Sequence, residues 1–264
     1  MDEHDGRSST DYYKRFKEKF SNRDFDGGLD DLAKAVNLDP TNVELYIERA
    51  DLNMLRAEYQ EAVDDLTKIM DLNPEIMTLA DAYDLRARAY ELLGESEKAI
   101  ADCTWVIEHG QATHQTFSRR GRLTERQGNY QDAIRDFTAA YNMQPDPLAL
   151  LQRAALYSKV EQYQEAINDL SIFISDYPNT AYEITAYGLR AVAYQKVHMY
   201  PEALSDFEYI VNALGEEPLY IHFCIGLVYE KMGLMDKAID EFRKSTLNPD
   251  HADYERISNI LNMI

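Results

Sequence analysis

"GNYQDAIRDF" spans Gly128–Phe137, and two near-copies stand elsewhere in the same chain: "AEYQEAVDDL" at Ala57–Leu66 and "EQYQEAINDL" at Glu161–Leu170. Each decamer places an alanine four residues before a large side chain, so both groups fall on one helical face. The anchor alanine recurs as Ala62, Ala99, Ala133, Ala166, Ala203 and Ala238, at gaps of 37, 34, 33, 37 and 35, and Gly28 lies 34 before Ala62. The group four further on is Leu32, Leu66, Cys103, Phe137, Leu170, Phe207 or Phe242. Units at one period of about 34 residues mark a solenoid, in which each unit packs on its neighbours.

A second helix is written into each unit. Twelve residues before the anchor stands Ala50, Ala87, Gly121, Ala154, Ala191 or Gly226. Small residues on facing helices let the two backbones approach closely. A bulky group precedes this small residue by four (Tyr46, Tyr83, Phe117, Leu150, Tyr187, His222), and Tyr90, Tyr157, Tyr194 and Tyr229 follow it by three. These tyrosines read as packing groups. Pro40, Pro74, Pro145, Pro178 and Pro249 stop the second helices, with Gly110 and Gly215 in the remaining two units.

With these residues in place the chain resembles the tetratricopeptide repeat family, most clearly over "FSRRGRLTERQGNYQDAIRDFTAAYNMQP" (Phe117–Pro145) and "YGLRAVAYQKVHMYPEALSDF" (Tyr187–Phe207). The resemblance implies an all-α, right-handed superhelical solenoid of about seven hairpins, over 11–42, 43–79, 80–113, 114–146, 147–183, 184–218 and 219–249. A polar tail (1–10) precedes it and a capping helix (250–264) follows. The first unit departs from the pattern, with Gly28 for alanine and no small residue in "YYKRFKEKF".

One departure recurs. Before the small residue stands Arg49, Arg86, Arg120, Arg153 or Arg190, and the second helix carries Asp31, Asp65, Asp102, Asp136, Asp169, Asp206 or Glu241 at one fixed position. Constant register through changing repeat lengths points to an arginine–carboxylate ladder that stitches the hairpins, within or between them.

Composition narrows the function. Of 264 residues 45% are hydrophobic, and 47 acidic residues oppose 27 basic ones, a formal charge of −20. Such a surface repels phosphate backbones and anionic membranes, which argues against nucleic acid as partner. Cys103 and Cys224 stand far apart, which excludes a disulfide framework. No apolar run approaches the roughly 20 residues of a membrane span, and "MDEHDGRSST" lacks the features of a signal peptide. A cytoplasmic location and no membrane insertion are therefore expected. No phosphate loop, HExxH or nucleophile motif appears, and the six histidines are scattered, only His109 and His114 lying close. The sequence predicts no enzyme, no cofactor and no metal.

Recognition remains. The resemblance implies that first helices line the concave surface, and three zones map there. Glu44, Glu48, Asp51, Asp81 and Asp84 are acidic; Arg88, Arg119, Arg122 and Arg126 are basic; Leu148, Leu151, Leu189, Val192, Tyr220, Phe223 and Leu227 are apolar. Arg88, Arg119, Arg122, Arg126, Leu151, Leu189, Phe223 and Leu227 are the candidate binding residues. The expected partner is a peptide or protein segment with acidic and large apolar residues. Self-assembly through the apolar zone of repeats five to seven is the alternative, and RNA binding a weaker one. Some family members clamp the acidic tails of chaperones with Lys and Asn residues. The matching places here read Tyr13, Lys17, Glu48, Asp81 and Leu85, which argues against that clamp.

Overall fold

The computed structural model describes residues 6–214 and 219–245. Among these residues there are fourteen α-helices and no strand, in two compact units, 1–143 and 144–264. The first unit holds α1 (Ser9–Ser21), α2 (Phe25–Leu38), α3 (Val43–Leu55), α4 (Tyr59–Leu72), α5 (Ile76–Leu93), α6 (Ser96–Glu108), α7 (His114–Arg126) and α8 (Tyr130–Met143). The second holds α9 (Pro147–Lys159), α10 (Tyr163–Asp176), α11 (Glu183–Lys196), α12 (Tyr200–Leu214), α13 (Leu219–Lys231) and α14 (Met235–Ser245). Each odd-numbered helix packs on its successor, and within a unit also on the even-numbered helix before it. The expected capping helix lies outside the described residues, as do Gly215 and Pro249.

The all-α solenoid register read from the anchors holds at atomic level. All six anchor alanines are fully buried, and the seven large groups four residues on are at most 1% exposed. Facing them, Gly121 leaves room for the Phe137 ring: a Cβ there would sit 3.2 Å from ring carbons. At Gly226 the fit against Phe242 is closer, with a Cβ 2.5 Å from the ring. The first hairpin inverts the sizes. Phe16, 1% exposed, occupies the small-residue place on α1, and Gly28 gives way on α2, where a Cβ would lie 3.3 Å from the Phe16 ring.

The first residue of the repeated decamer has its own role. Arg23, Ala57, Gly94, Gly128, Glu161, His198 and Gly233, each five before its anchor, have φ between 60° and 81°. One left-handed residue thus turns every hairpin, although only three of these residues are glycine. An L side chain in that conformation costs roughly 1–2 kcal/mol. Ala57→Gly is expected to raise the unfolding free energy by up to about 1 kcal/mol, the relief being offset by glycine's larger unfolded entropy. Urea denaturation of the variant checks it, and an unchanged or lower midpoint would show the turn unstrained.

The ladder forms within hairpins. Arg49, Arg86, Arg120, Arg153 and Arg190 each donate Nε and Nη2 to Asp65, Asp102, Asp136, Asp169 and Asp206, sixteen residues on, at 2.5–2.9 Å. Two parallel bonds fix the plane of both groups. Arg15 holds the same register against Asp31, at 3.4 Å, with Lys19 Nζ 2.9 Å from the same carboxylate. In the last hairpin Ile225 takes the arginine's place, and Glu241 receives His222 and Lys244 instead, at 2.6 and 2.7 Å. Tyrosines flank the guanidinium groups, with Arg86 5.2 Å from the Tyr83 centroid and 5.6 Å from Tyr90, and Arg190 similarly between Tyr187 and Tyr194. The tyrosines are packing groups that also present their faces to the ladder cations.

A third donor reaches across hairpins. Nη1 of Arg86, Arg120 and Arg190 donates to the hydroxyls of Thr67, Thr104 and Ser171, at 2.9, 3.1 and 3.1 Å. Each hydroxyl stands two residues after a ladder aspartate of the preceding hairpin. The arginines therefore close their own hairpins and tie them to the ones before.

Candidate functional site

The inner side of each unit is the side of the odd-numbered helices. There α5 meets α7 and α9 meets α11, whereas no pair of even-numbered helices makes a comparable contact among the described residues.

In the first unit this side is a charge network. Tyr13 on α1 donates to Glu44 and Glu48 on α3, both at 2.9 Å, and Lys17 pairs with Glu48. Burial, outweighing the nearby Lys17, pushes the Tyr13 hydroxyl up to about 12, and the two accepting carboxylates contribute. Tyr13 and Lys17, at two of the chaperone-clamp places, are thus already engaged with acids, one of them Glu48 at a third. Burial also raises the Asp51 carboxyl, Glu48 adds to this, and Arg88 offsets part of it from α5.

The candidate arginines separate into two kinds. Arg119 is 8% exposed, with Nη1 3.0 Å from Asp84 Oδ1 and Nε 3.4 Å from Glu91 Oε2. Asp84 also accepts from Thr116 at 2.8 Å, and Glu91 lies 3.5 Å from Arg122 Nη2. Arg119 is therefore a buried stitch between α5 and α7, not a cation offered to a ligand, and Arg122 is half engaged in the same stitch. Glu91 is the member that sequence reading missed. It stands seven residues after Asp84, two turns along one face. Arg88 and Arg126 are exposed, and Arg126 in the last turn of α7 also complements the helix dipole.

The apolar candidates divide in the same way. Phe223 is 4% exposed, packed with Phe242 and Ala238, and Leu151 is 7% exposed. Both belong to the core, so neither is a contact surface in the folded chain. Leu189 and Leu227 are half-buried. Leu148, Val192 and Tyr220, at 39%, 40% and 57%, are exposed.

Among the described residues no group of three or more His, Cys, Asp or Glu side chains is arranged to hold a metal ion, and no helix is long and apolar enough to cross a membrane. His109 stacks on Trp105 at 3.9 Å between centroids, with Nδ1 2.7 Å from the Trp105 carbonyl oxygen. Cys103 is fully buried, and burial pushes its thiol up to about 12, which leaves no reactive thiolate.

Models of the tetratricopeptide repeat match residues 148–180 and 220–249, which hold most of α9–α10 and α13–α14. The chain carries tetratricopeptide repeats. Its repeats form a protein-interaction scaffold. The C-terminal part of a tetratricopeptide repeat protein from Cytophaga hutchinsonii superposes over 93% of this chain and 98% of its own, with a TM-score of 0.73 at 15% identity. YrrB, described as a tetratricopeptide repeat protein with an unusual peptide-binding site, covers 86% of this chain and 97% of its own, with a TM-score of 0.59 at 17% identity. At such identities the likeness shows the fold. A DnaJ homolog subfamily C member 7 homolog from Dictyostelium discoideum is 32% identical over 89 residues, 33% of this chain. That stretch spans only 16% of the relative's length.

Proposed function

We propose that this tetratricopeptide repeat protein is a non-enzymatic adaptor that holds a peptide or protein segment on its odd-numbered helices, in the cytoplasm. The observation that carries the reading is what packing leaves over. In a chain whose ladder and stitch consume so many charges, Arg88 and Arg126 remain exposed on the inner side of the first unit. Leu148, Val192 and Tyr220 remain exposed on that of the second. A guanidinium favours a carboxylate-bearing partner, and the apolar groups favour large side chains. The peptide-binding site described for YrrB supports a recognition role for this fold. The acidic net charge again argues against RNA.

Affinity capture from a cell extract tests the reading, with Arg88→Glu/Arg126→Glu and Val192→Asp variants beside the parent chain. Partners retained by the parent should be lost from one variant or both, the arginine-dependent ones showing the steeper salt dependence. Identical partner sets on all three would remove the inner side as the site. Exposure of Leu148, Val192 and Tyr220 also favours a second reading, self-assembly through the apolar zone. Light scattering that gives a dimer for the parent and a monomer for Val192→Asp would select it.

A further inference from the structure

The scaffold reading leaves open where a partner is anchored and by what chemistry, and a cleft confined to the second unit answers both. It has a volume of about 330 Å³ and opens between the last turn of α11, the turn into α12 and the end of α13. Leu227, Val228 and Tyr200 supply its apolar surface. Lys196, Lys231 and His198 are the ionisable groups around them, with Gln195 completing the lining. No carboxylate of the described residues lines it, although acids outnumber bases 47 to 27 in the chain.

Lys196 and Lys231, like Lys14, Lys34 and Lys237, have no carboxylate within 4 Å among the described residues, whereas Lys17, Lys19, Lys68, Lys98 and Lys244 each have one. Each of the two stands in the last turn of its helix, where a cation complements the dipole. The dipole accounts for one lysine per helix end. It does not account for two on one apolar cleft that no acid of the described residues lines. Gln195 adds a fixed polar group: its Nε2 donates to the Cys224 carbonyl at 3.3 Å, which leaves Oε1 to accept from an N–H. His198 is fixed as well, with Nδ1 2.7 Å from the Tyr200 hydroxyl.

Volume and polarity select the occupant. At about 330 Å³ the cleft is at the small end of ligand sites and suits one large side chain with its neighbouring group. An amide N–H acceptor beside two lysines suits a peptide bond next to a carboxylate, whereas a fatty acid carries no N–H to give. We propose that this cleft anchors a partner protein through a large apolar residue adjacent to an acidic one. The apolar side chain lies on Leu227 and Val228, the carboxylate lies between Lys196 and Lys231, and the backbone N–H donates to Gln195.

The test is an amide-resolved NMR titration of the full chain with three probes. One is a short peptide with glutamate on both sides of a central leucine, the second replaces both glutamates by lysine, and the third is dodecanoate. The acidic peptide should shift the amides of residues 195–200 and 227–231. Its affinity should fall at least tenfold in Lys196→Glu/Lys231→Glu, whose exposed sites leave the fold intact, and should fall again in 0.5 M salt. The lysine peptide should bind at least tenfold more weakly than the acidic one. Absence of shifts at the cleft, equal binding of both peptides, or shifts with dodecanoate alone would each overturn the proposal. Shifts confined to the amides around Arg88 and Arg126 would overturn it while leaving the scaffold reading intact. Loss of captured partners from the inner-side variants, with the cleft silent, would separate the two in the same way.

Discussion

Arg86→Ala is expected to lower the unfolding free energy by about 3–5 kcal/mol. The Arg86 side chain is 15% exposed and that of Asp102 7%, so the pair is largely out of water. Removing the guanidinium strands a buried carboxylate that loses both parallel bonds, and Thr67 loses its donor from the next hairpin. Burial already raises the Asp102 carboxyl from its ordinary value even though Arg86 pulls it down. Desolvation thus outweighs the attraction at Asp102, whereas at Arg86 the attraction prevails over burial and raises the guanidinium, so the ladder contributes alignment at a modest net stability. Arg86→Met combined with Asp102→Leu should therefore recover most of the loss.

The pH dependence of Arg86→Ala has a definite sign. In the variant the folded Asp102 pKa stands above its unfolded value of about 3.9. The deficit is then smallest below that unfolded value and develops as the pH rises through the folded one. Urea denaturation at pH 4 and pH 7 should show the smaller loss at pH 4. Equal losses at both pH values, or a double variant as unstable as the single, would show that the carboxylate is not stranded.

How much of this was legible depends on what each residue faces. The anchor alanines and the groups four residues on were legible because a helix pair fixes its spacing locally, and all of them proved buried. Ladder residue types were legible too, but their pairing was not, since one arginine reaches an aspartate of its own hairpin and a hydroxyl of the preceding one. The signal for the second contact is the threonine or serine two residues after each aspartate, at Thr67, Thr104 and Ser171.

The candidate site was less legible for a physical reason. An odd-numbered helix is packed by its partner and, within a unit, by the helix before it, so two of its faces are buried and only a narrow strip is free. A single helical period cannot separate that strip from the second buried face. Leu151 and Phe223 therefore fell in the core, and Arg119 proved a buried stitch. Arg15 escaped notice because Phe16 beside it breaks the small-residue pattern, yet it keeps the ladder register with Asp31.

That same Phe16 sets up the second large effect. Phe16→Ala should cost about 3–5 kcal/mol, because an almost fully buried ring leaves a cavity that the surrounding core fills only in part. Gly28→Ala in the parent chain should be near neutral. Alanine improves helix propensity over glycine by roughly 1 kcal/mol, but its Cβ would stand 3.3 Å from the Phe16 ring, and the crowding consumes the gain. With the ring removed the crowding is gone, so Phe16→Ala/Gly28→Ala should recover about 1 kcal/mol of the single-variant loss. The double variant gives the first hairpin the Ala/Ala pairing that Ala50 and Ala62 already use in the next one. A double-mutant cycle measured by urea denaturation isolates this coupling. Additivity within about 0.3 kcal/mol would mean that Gly28 and Phe16 do not share the volume between α1 and α2. A favourable coupling would mean that the array permits either large-against-glycine or small-against-small at its closest approach, and that facing volumes must be conserved as a pair.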